Sequence, residues 1–215
     1  MSELNERIRD IPIPPRMARL PISATGYPVP KFVHWENGAP DFRVIEPGFV
    51  AKCFNARLCW LCGQPMGKFL TFVIGPMCAV NRVSSEPPSH RECALYAVQA
   101  CPFLSQPRMR RNEKDMPEDG YTVGNAVMHN PGVSLVYTCH SYHPVSDGRG
   151  GTLFELDKPV ACEFYRERHP ASRDEVLGAI NKGLPILKDM AQSEGREAVD
   201  ELNRRIRDAM ELIPA

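Results

Sequence analysis

The residues of this chain best equipped for chemistry are its sulfurs. Five of the eight cysteines fall in one stretch, CWLCGQPMGKFLTFVIGPMCAVNRVSSEPPSHRECALYAVQACPFL, which begins at Cys59 and ends at Leu104. Cys59 and Cys62 form a CxxC pair followed by Gly63. Such a turn brings two sulfurs to one point, and glycine permits the backbone reversal behind them. Further along, Ser89 and Glu92 have capping-box spacing. This predicts Ser89 as a helix N-cap, His90 as the first helical residue and Cys93 in the first turn. Side chains three apart on a helix share a face, and the helix dipole at that end favours a thiolate. Cys59, Cys62, His90 and Cys93 therefore make a Cys3His set suited to tetrahedral zinc. Four protein ligands leave no open position for water, so the expected ion is structural.

Other readings of the same residues compete with this one. The spacer between Cys62 and His90 is 27 residues, longer than in the shortest zinc modules, and buried core cysteines beside a surface histidine would give the same letters. A thioredoxin-like redox pair is disfavoured because CWLCG is followed by a hairpin pattern, KFLTFVI and MCAVNR across Gly75 and Pro76, and not by a helix. Cys78, placed in the second hairpin strand, and Cys101, at the helix end, have core packing as their default. Either replaces His90 as a ligand if the hairpin register differs.

Chemistry elsewhere is sparser. Cys139, His140 and His143 in TCHSYHP suggest a second metal site, but residues 140 and 143 of a regular strand point to opposite faces. His129 would have to come from another segment. The segment PRMRRNEK carries Arg108, Arg110, Arg111 and Lys114 against Glu113 alone. Arginine forks match phosphate oxygens, so this run reads either as a nucleic-acid grip or as a solvated loop. No G-x-S-x-G elbow, Walker lysine loop or HExxH occurs in the sequence. The cluster around YRERHPASRDE, with Glu163, Glu167, Arg168, His169, Arg173 and Asp174, reads as an anion site or as a charged helix entry.

The elements that must position these residues follow from punctuation and period. Prolines at positions 12, 14, 15, 21, 28, 30, 40 and 47 argue against long helices or central strands in residues 1–50, which read as an extended arm lying on a folded body. Residues 51–112 form the zinc module, 113–120 a polar linker, and 121–215 a sheet followed by helices. In that last part YTVGNAVMH, VSLVYTC, TLFEL and PVACEFY are short strands separated by NPG, DGRGG and DKP. Ser172 and Glu175 form a second capping box, and Val176, Ile180, Leu184 and Leu187 continue at helical spacing, with Gly183 and Pro185 expected to kink or divide the helix. A last helix over 196–212 carries Leu202, Ile206, Met210 and Ile213 on one stripe.

Composition limits the partners. Twenty-six basic and twenty-six acidic residues cancel, so nothing global steers the chain to nucleic acid or to an anionic membrane. The polar opening MSELNERIRD is not a secretory signal, and no apolar run is of membrane-spanning length. The expected compartment is the cytoplasm, where paired cysteines suggest metal before disulfide. The runs GYPVPKFV, CWLCG, FVIGPMCAVNR, PPSHRECA, ACPFL and SRDEVLGAINKGLPIL together resemble those of a group of bacterial and phage-associated proteins of about this length. The resemblance spans the chain from about Leu20 to the last helix. It implies one unit with the CxxC and HxxC pairs as a shared feature, and it implies no substrate.

The expected fold class is α+β: a treble-clef zinc finger followed by a small antiparallel sheet and C-terminal helices. The expected function is a zinc-stabilised binding protein that contacts nucleic acid through Arg108, Arg110, Arg111 and Lys114. A protein adaptor with a purely structural zinc site is the alternative, and an enzyme with a pocket near His129, His140, His143 and Glu163 is a third reading. No small-molecule cofactor and no membrane partner are expected.

Overall fold

A computed structural model of the chain describes residues 3–106, 109–110, 132–148 and 150–213. The proposed linker, the YTVGNAVMH segment, His129, Arg108, Arg111 and Lys114 lie outside these residues. The opening stretch leads into a hairpin, β1 (Val33–Glu36) and β2 (Ala39–Ile45), joined at Asn37 and Gly38 with φ of 49° and 80°. Both values are left-handed, as the tight two-residue hairpin turn requires, and Asn-Gly is the pair that tolerates it best. The helix α1 (Phe49–Ala56) follows. The proline density of this region argues against regular structure. The elements that form are short, and the two strands pair only with each other.

After the CxxC turn come β3 (Leu70–Ile74), α2 (Pro76–Asn81), β4 (Val83–Ser84), α3 (Arg91–Ala100) and the single turn α4 (Pro102–Ser105). The expected hairpin across Gly75 and Pro76 does not form. Pro76 sits at the first helical position, where its missing N–H costs nothing and its fixed φ suits a helix, and the apolar run behind it continues as α2. Cys78 is therefore helical and not in a strand. The partner of β3 is instead β5 (Ser134–Cys139), with Leu70 opposite Cys139 and Ile74 opposite Leu135.

The remaining elements are β6 (Tyr142–Ser146), β7 (Thr152–Leu156), β8 (Ala161–Arg166), β9 (His169–Pro170), α5 (Arg173–Glu194) and α6 (Arg196–Met210). The strands form a four-stranded sheet in the order β3-β5-β8-β9 and a three-stranded sheet in the order β4-β7-β6, with every pairing antiparallel. Among the described residues this is a mixed helix and sheet fold of small antiparallel sheets with C-terminal helices, as expected for the α+β class.

Strand β5 is buried along its whole length because it is covered on both faces. Leu135, Tyr137 and Cys139 pack with Phe72, Phe154, Phe164, Val176 and Ile180 on one side, while Val136 meets Ala94 and Val98 of α3 on the other. The Ser172 capping box is fully formed: the Ser172 hydroxyl accepts from the Glu175 N–H and the Glu175 carboxylate accepts from the Ser172 N–H. Neither Gly183 nor Pro185 divides α5, which stays one helix of 22 residues. Gly183 has a different task. A Cβ there would lie 2.4 Å from Met77 Sδ, so glycine is what lets α2 pack closely against α5.

Candidate metal centre

The first half of the site is a tight knuckle. The Cys59 N–H donates to the Gln64 carbonyl and the Gly63 N–H to the Cys59 carbonyl, both at 2.9 Å, and Gly63 has φ of 71°. Leu58 and Pro65 bridge across the base of the turn. The left-handed backbone at position 63 favours glycine, and within the same turn the Cys62 N–H donates to Cys59 Sγ, 3.4 Å away.

The second half is the start of α3, but the cap differs from expectation. His90 itself is the N-cap, with extended φ and ψ, and no side chain caps the helix. Ser89 is taken by β3: its N–H and carbonyl both pair with Thr71, at 2.7 and 3.0 Å. The Glu92 carboxylate accepts instead from Arg16 at 2.8 Å. The knuckle and the helix start are tied together by the Trp60 N–H, which donates to the Pro88 carbonyl at 3.0 Å, and by the His90 N–H, 3.4 Å from Cys59 Sγ.

These constraints gather Cys59, Cys62, His90 and Cys93, all buried, with their ligand atoms within 4.8 Å of one another. His90 Nδ1 lies 3.4 Å from Cys62 Sγ and 4.0 Å from Cys93 Sγ. On the far side of the ring Nε2 is 3.1 Å from the Pro65 carbonyl, which can only accept, so Nε2 carries the proton and Nδ1 presents a lone pair to the sulfurs. The Cys62 and Cys93 thiols hydrogen-bonded to Cys59 hold its thiol well below the ordinary range, with backbone N–H groups of Cys62 and His90 adding to the effect against burial. Cys62 and Cys93 are pushed up, each chiefly by its hydrogen bond with Cys59. A buried set of three sulfurs and one oriented imidazole nitrogen is close enough to hold a metal ion.

Of the other cysteines, none joins this cluster. Cys53 is buried beside it in the same apolar group, and burial pushes its thiol up to about 12, so it stays protonated at neutral pH. Cys78 lies on α2, where Met77 meets Gly183 of α5, and Cys101 caps the opposite end of α3 from Cys93. His90 is thus the fourth member of the group, and neither Cys78 nor Cys101 takes its place.

The second candidate region does not converge. Cys139 Sγ donates to the Ser141 carbonyl at 3.2 Å, His140 packs on the exposed ring of Phe69 with centroids 5.2 Å apart, and His143 faces Glu155 across β6 and β7. Glu163 is engaged by Arg91 in a two-pronged ion pair at 2.7 and 2.8 Å. Among the described residues no second group of His, Cys, Asp or Glu side chains is arranged to hold an ion. Of the four cations in the basic segment, Arg110 alone is described, and it is exposed.

The opening stretch, expected as an arm on the folded body, lies over the site itself, which the sequence does not announce. Ile8, Ile11, Met17 and Leu20 of the opening stretch pack with the site cysteines, and Trp60, between the two knuckle cysteines, stacks on Phe32 with centroids 4.6 Å apart and planes 5° apart. Arg16 spans the two halves, donating to Glu92 at 2.8 Å and to Gln64 Oε1 at 3.3 Å. The sequence signals only the buried side of that stretch, through the alternation of proline with single apolar residues, which marks an extended chain. No protein-family model matches the chain, and neither a curated protein nor a solved structure does, so the metal assignment rests on the residues themselves.

Proposed function

We propose that Cys59, Cys62, His90 and Cys93 hold one structural zinc ion and that the protein is a binding module, with nucleic acid as the partner of the basic segment that follows α3 and α4. The observation that supports zinc is the donor set: three sulfurs and an imidazole whose tautomer is fixed by Pro65, all of them buried. On this reading the knuckle and the helix start serve as the two ends of a treble clef, with β3 and α2 standing where its hairpin is expected. Zinc bound here would tie the knuckle, α3 and the opening stretch into one body.

The nucleic-acid reading is supported by the run Arg108, Arg110, Arg111 and Lys114, which follows α3 and α4 in the sequence and carries four cations against Glu113 alone. Changing Arg108, Arg110 and Arg111 together to Gln should weaken oligonucleotide binding and flatten its salt dependence by roughly 0.7–0.9 in log–log slope for each phosphate that is no longer neutralised. Binding that keeps its strength and slope in the triple variant would sink this reading. A protein partner is the second reading, favoured by the β1–β2 hairpin, where Trp35, Phe42 and Ile45 are each more than 40% exposed. A stable protein complex formed without any oligonucleotide affinity at low salt would establish it in place of the first.

A further inference from the structure

Away from the cysteines, three stretches distant in sequence meet around a small cleft of about 100 Å³. Arg7 and Tyr27 line it from the opening stretch, Gln99, Ser105 and Gln106 from α3 and α4, and Arg168 from the turn between β8 and β9. That turn is unusual. Arg166 pairs with His169, leaving Glu167 and Arg168 as its two central residues, with φ of 48° and 77°. Both are left-handed, a conformation that asparagine and glycine fill readily and that long charged side chains rarely adopt. Backbone held against preference in this way marks a side chain whose position matters.

Arg168 is fixed further by Asp10, whose two carboxylate oxygens accept from Nη2 at 2.8 and 2.7 Å. One guanidinium nitrogen is thereby used, and two remain to donate. Arg7 has no ion-pair partner among the described residues, and the neighbouring Glu6 is paired with Arg9 at 3.7 Å. Arg7 and Arg168 are the two charged residues that line the cleft, Arg168 being paired with Asp10 beside it. Tyr27 and Gln106, which also line it, carry neutral donors.

We propose that this cleft binds one phosphate group, held between Arg7 and Arg168 with Tyr27 and Gln106 completing its hydrogen bonds. The volume suits a single tetrahedral oxyanion, and planar guanidinium forks are the groups that grip one most strongly. The phosphate can be free, or it can belong to a nucleic-acid backbone. The second source rests on the nucleic-acid reading above, since Gln106 stands two residues before Arg108 in the sequence.

Titration of the full, metal-loaded chain in chloride buffer with inorganic phosphate, and separately with a short oligothymidylate lacking terminal phosphates, tests this by calorimetry. Arg7→Gln is the deciding variant, because Arg7 is exposed and its loss leaves the packing intact; Arg168→Gln is the second. Saturable phosphate binding that weakens about tenfold in either variant is expected, in line with the loss of a charge-assisted hydrogen bond. An oligothymidylate that binds more tightly and displaces phosphate identifies the backbone source. Phosphate binding without oligothymidylate binding supports the cleft as a site for free phosphate and removes the nucleic-acid reading. Wild-type protein that binds neither probe, or binding unchanged in Arg7→Gln, overturns the proposal.

Discussion

Trp60 occupies the central position of the CxxC knuckle and is 2% exposed, flanked by Phe32 and Phe49. Its burial depends on the knuckle keeping its shape, and the knuckle depends on the sulfurs being held together. Stripping the metal with a chelator should therefore shift Trp60 emission to longer wavelength. A Trp35→Phe background isolates the signal, because the chain has only these two tryptophans. An unshifted spectrum after complete metal removal would show that the knuckle stands without the ion. The cysteines separate in the same way. Cys93→Ser should lose the metal, whereas Cys53→Ser and Cys101→Ser should retain it, as metal analysis of the purified variants would show. The two pairs that gather here, Cys59 with Cys62 and His90 with Cys93, were legible in the sequence because each is local, set by a turn or by one helical turn. The cap of α3 was not, because Ser89 is claimed by a backbone pairing with Thr71, which no neighbouring residue announces.

At the scale of elements, the opening stretch packs on the Cys/His cluster, and an ion bound there should couple the two. Ile8, Ile11, Met17 and Leu20 bury their side chains against the knuckle and α3, and Arg16 bridges Gln64 and Glu92. Chelation should release the stretch, so that protease cleaves within residues 1–48 before it cuts β3, β5 or β8; simultaneous cleavage throughout would contradict the coupling. The α5 cap makes a second, independent prediction. Ser172→Ala should cost about 1 kcal/mol of stability, read from denaturant unfolding. The Ser172 backbone N–H holds the Glu175 carboxyl below its ordinary value of 4.5, so its contribution is present above that pH and is lost as the pH falls through the lowered folded value. In Glu175→Gln that part of the acid dependence should vanish. The α5 capping box could be read directly, since it involves four consecutive residues. By contrast, six apolar or small residues after Gly75 fit a strand or a helix equally well, and the true partner of β3 lies some sixty residues further on, in β5.

For the whole molecule, α3 is the shared wall. Its Ala94 and Val98 pack on β5, while Cys93, Tyr96 and Ala100 join the cluster of the knuckle and the opening stretch. The helix that carries Cys93 thus connects a small sulfur-rich core to the larger core built by the sheets and α5, which is why an ion bound at its start would bear on the stability of the entire chain. The mixed helix and sheet class and the C-terminal run of strands followed by helices were legible from period and punctuation, whereas β1, β2, α1 and α2 were not. The sheet order was not, since antiparallel strands distant in sequence leave no local mark of which neighbour they choose. Among the described residues no helix is long and apolar enough to cross a membrane. The central claim is the ion itself. Elemental analysis of protein purified without added metal should find about one zinc per chain, and its removal should cost stability on the order of 10 kcal/mol, enough to unfold a domain of ordinary stability. Metal-free protein that melts as cooperatively, and at the same temperature, as the material first isolated would contradict it.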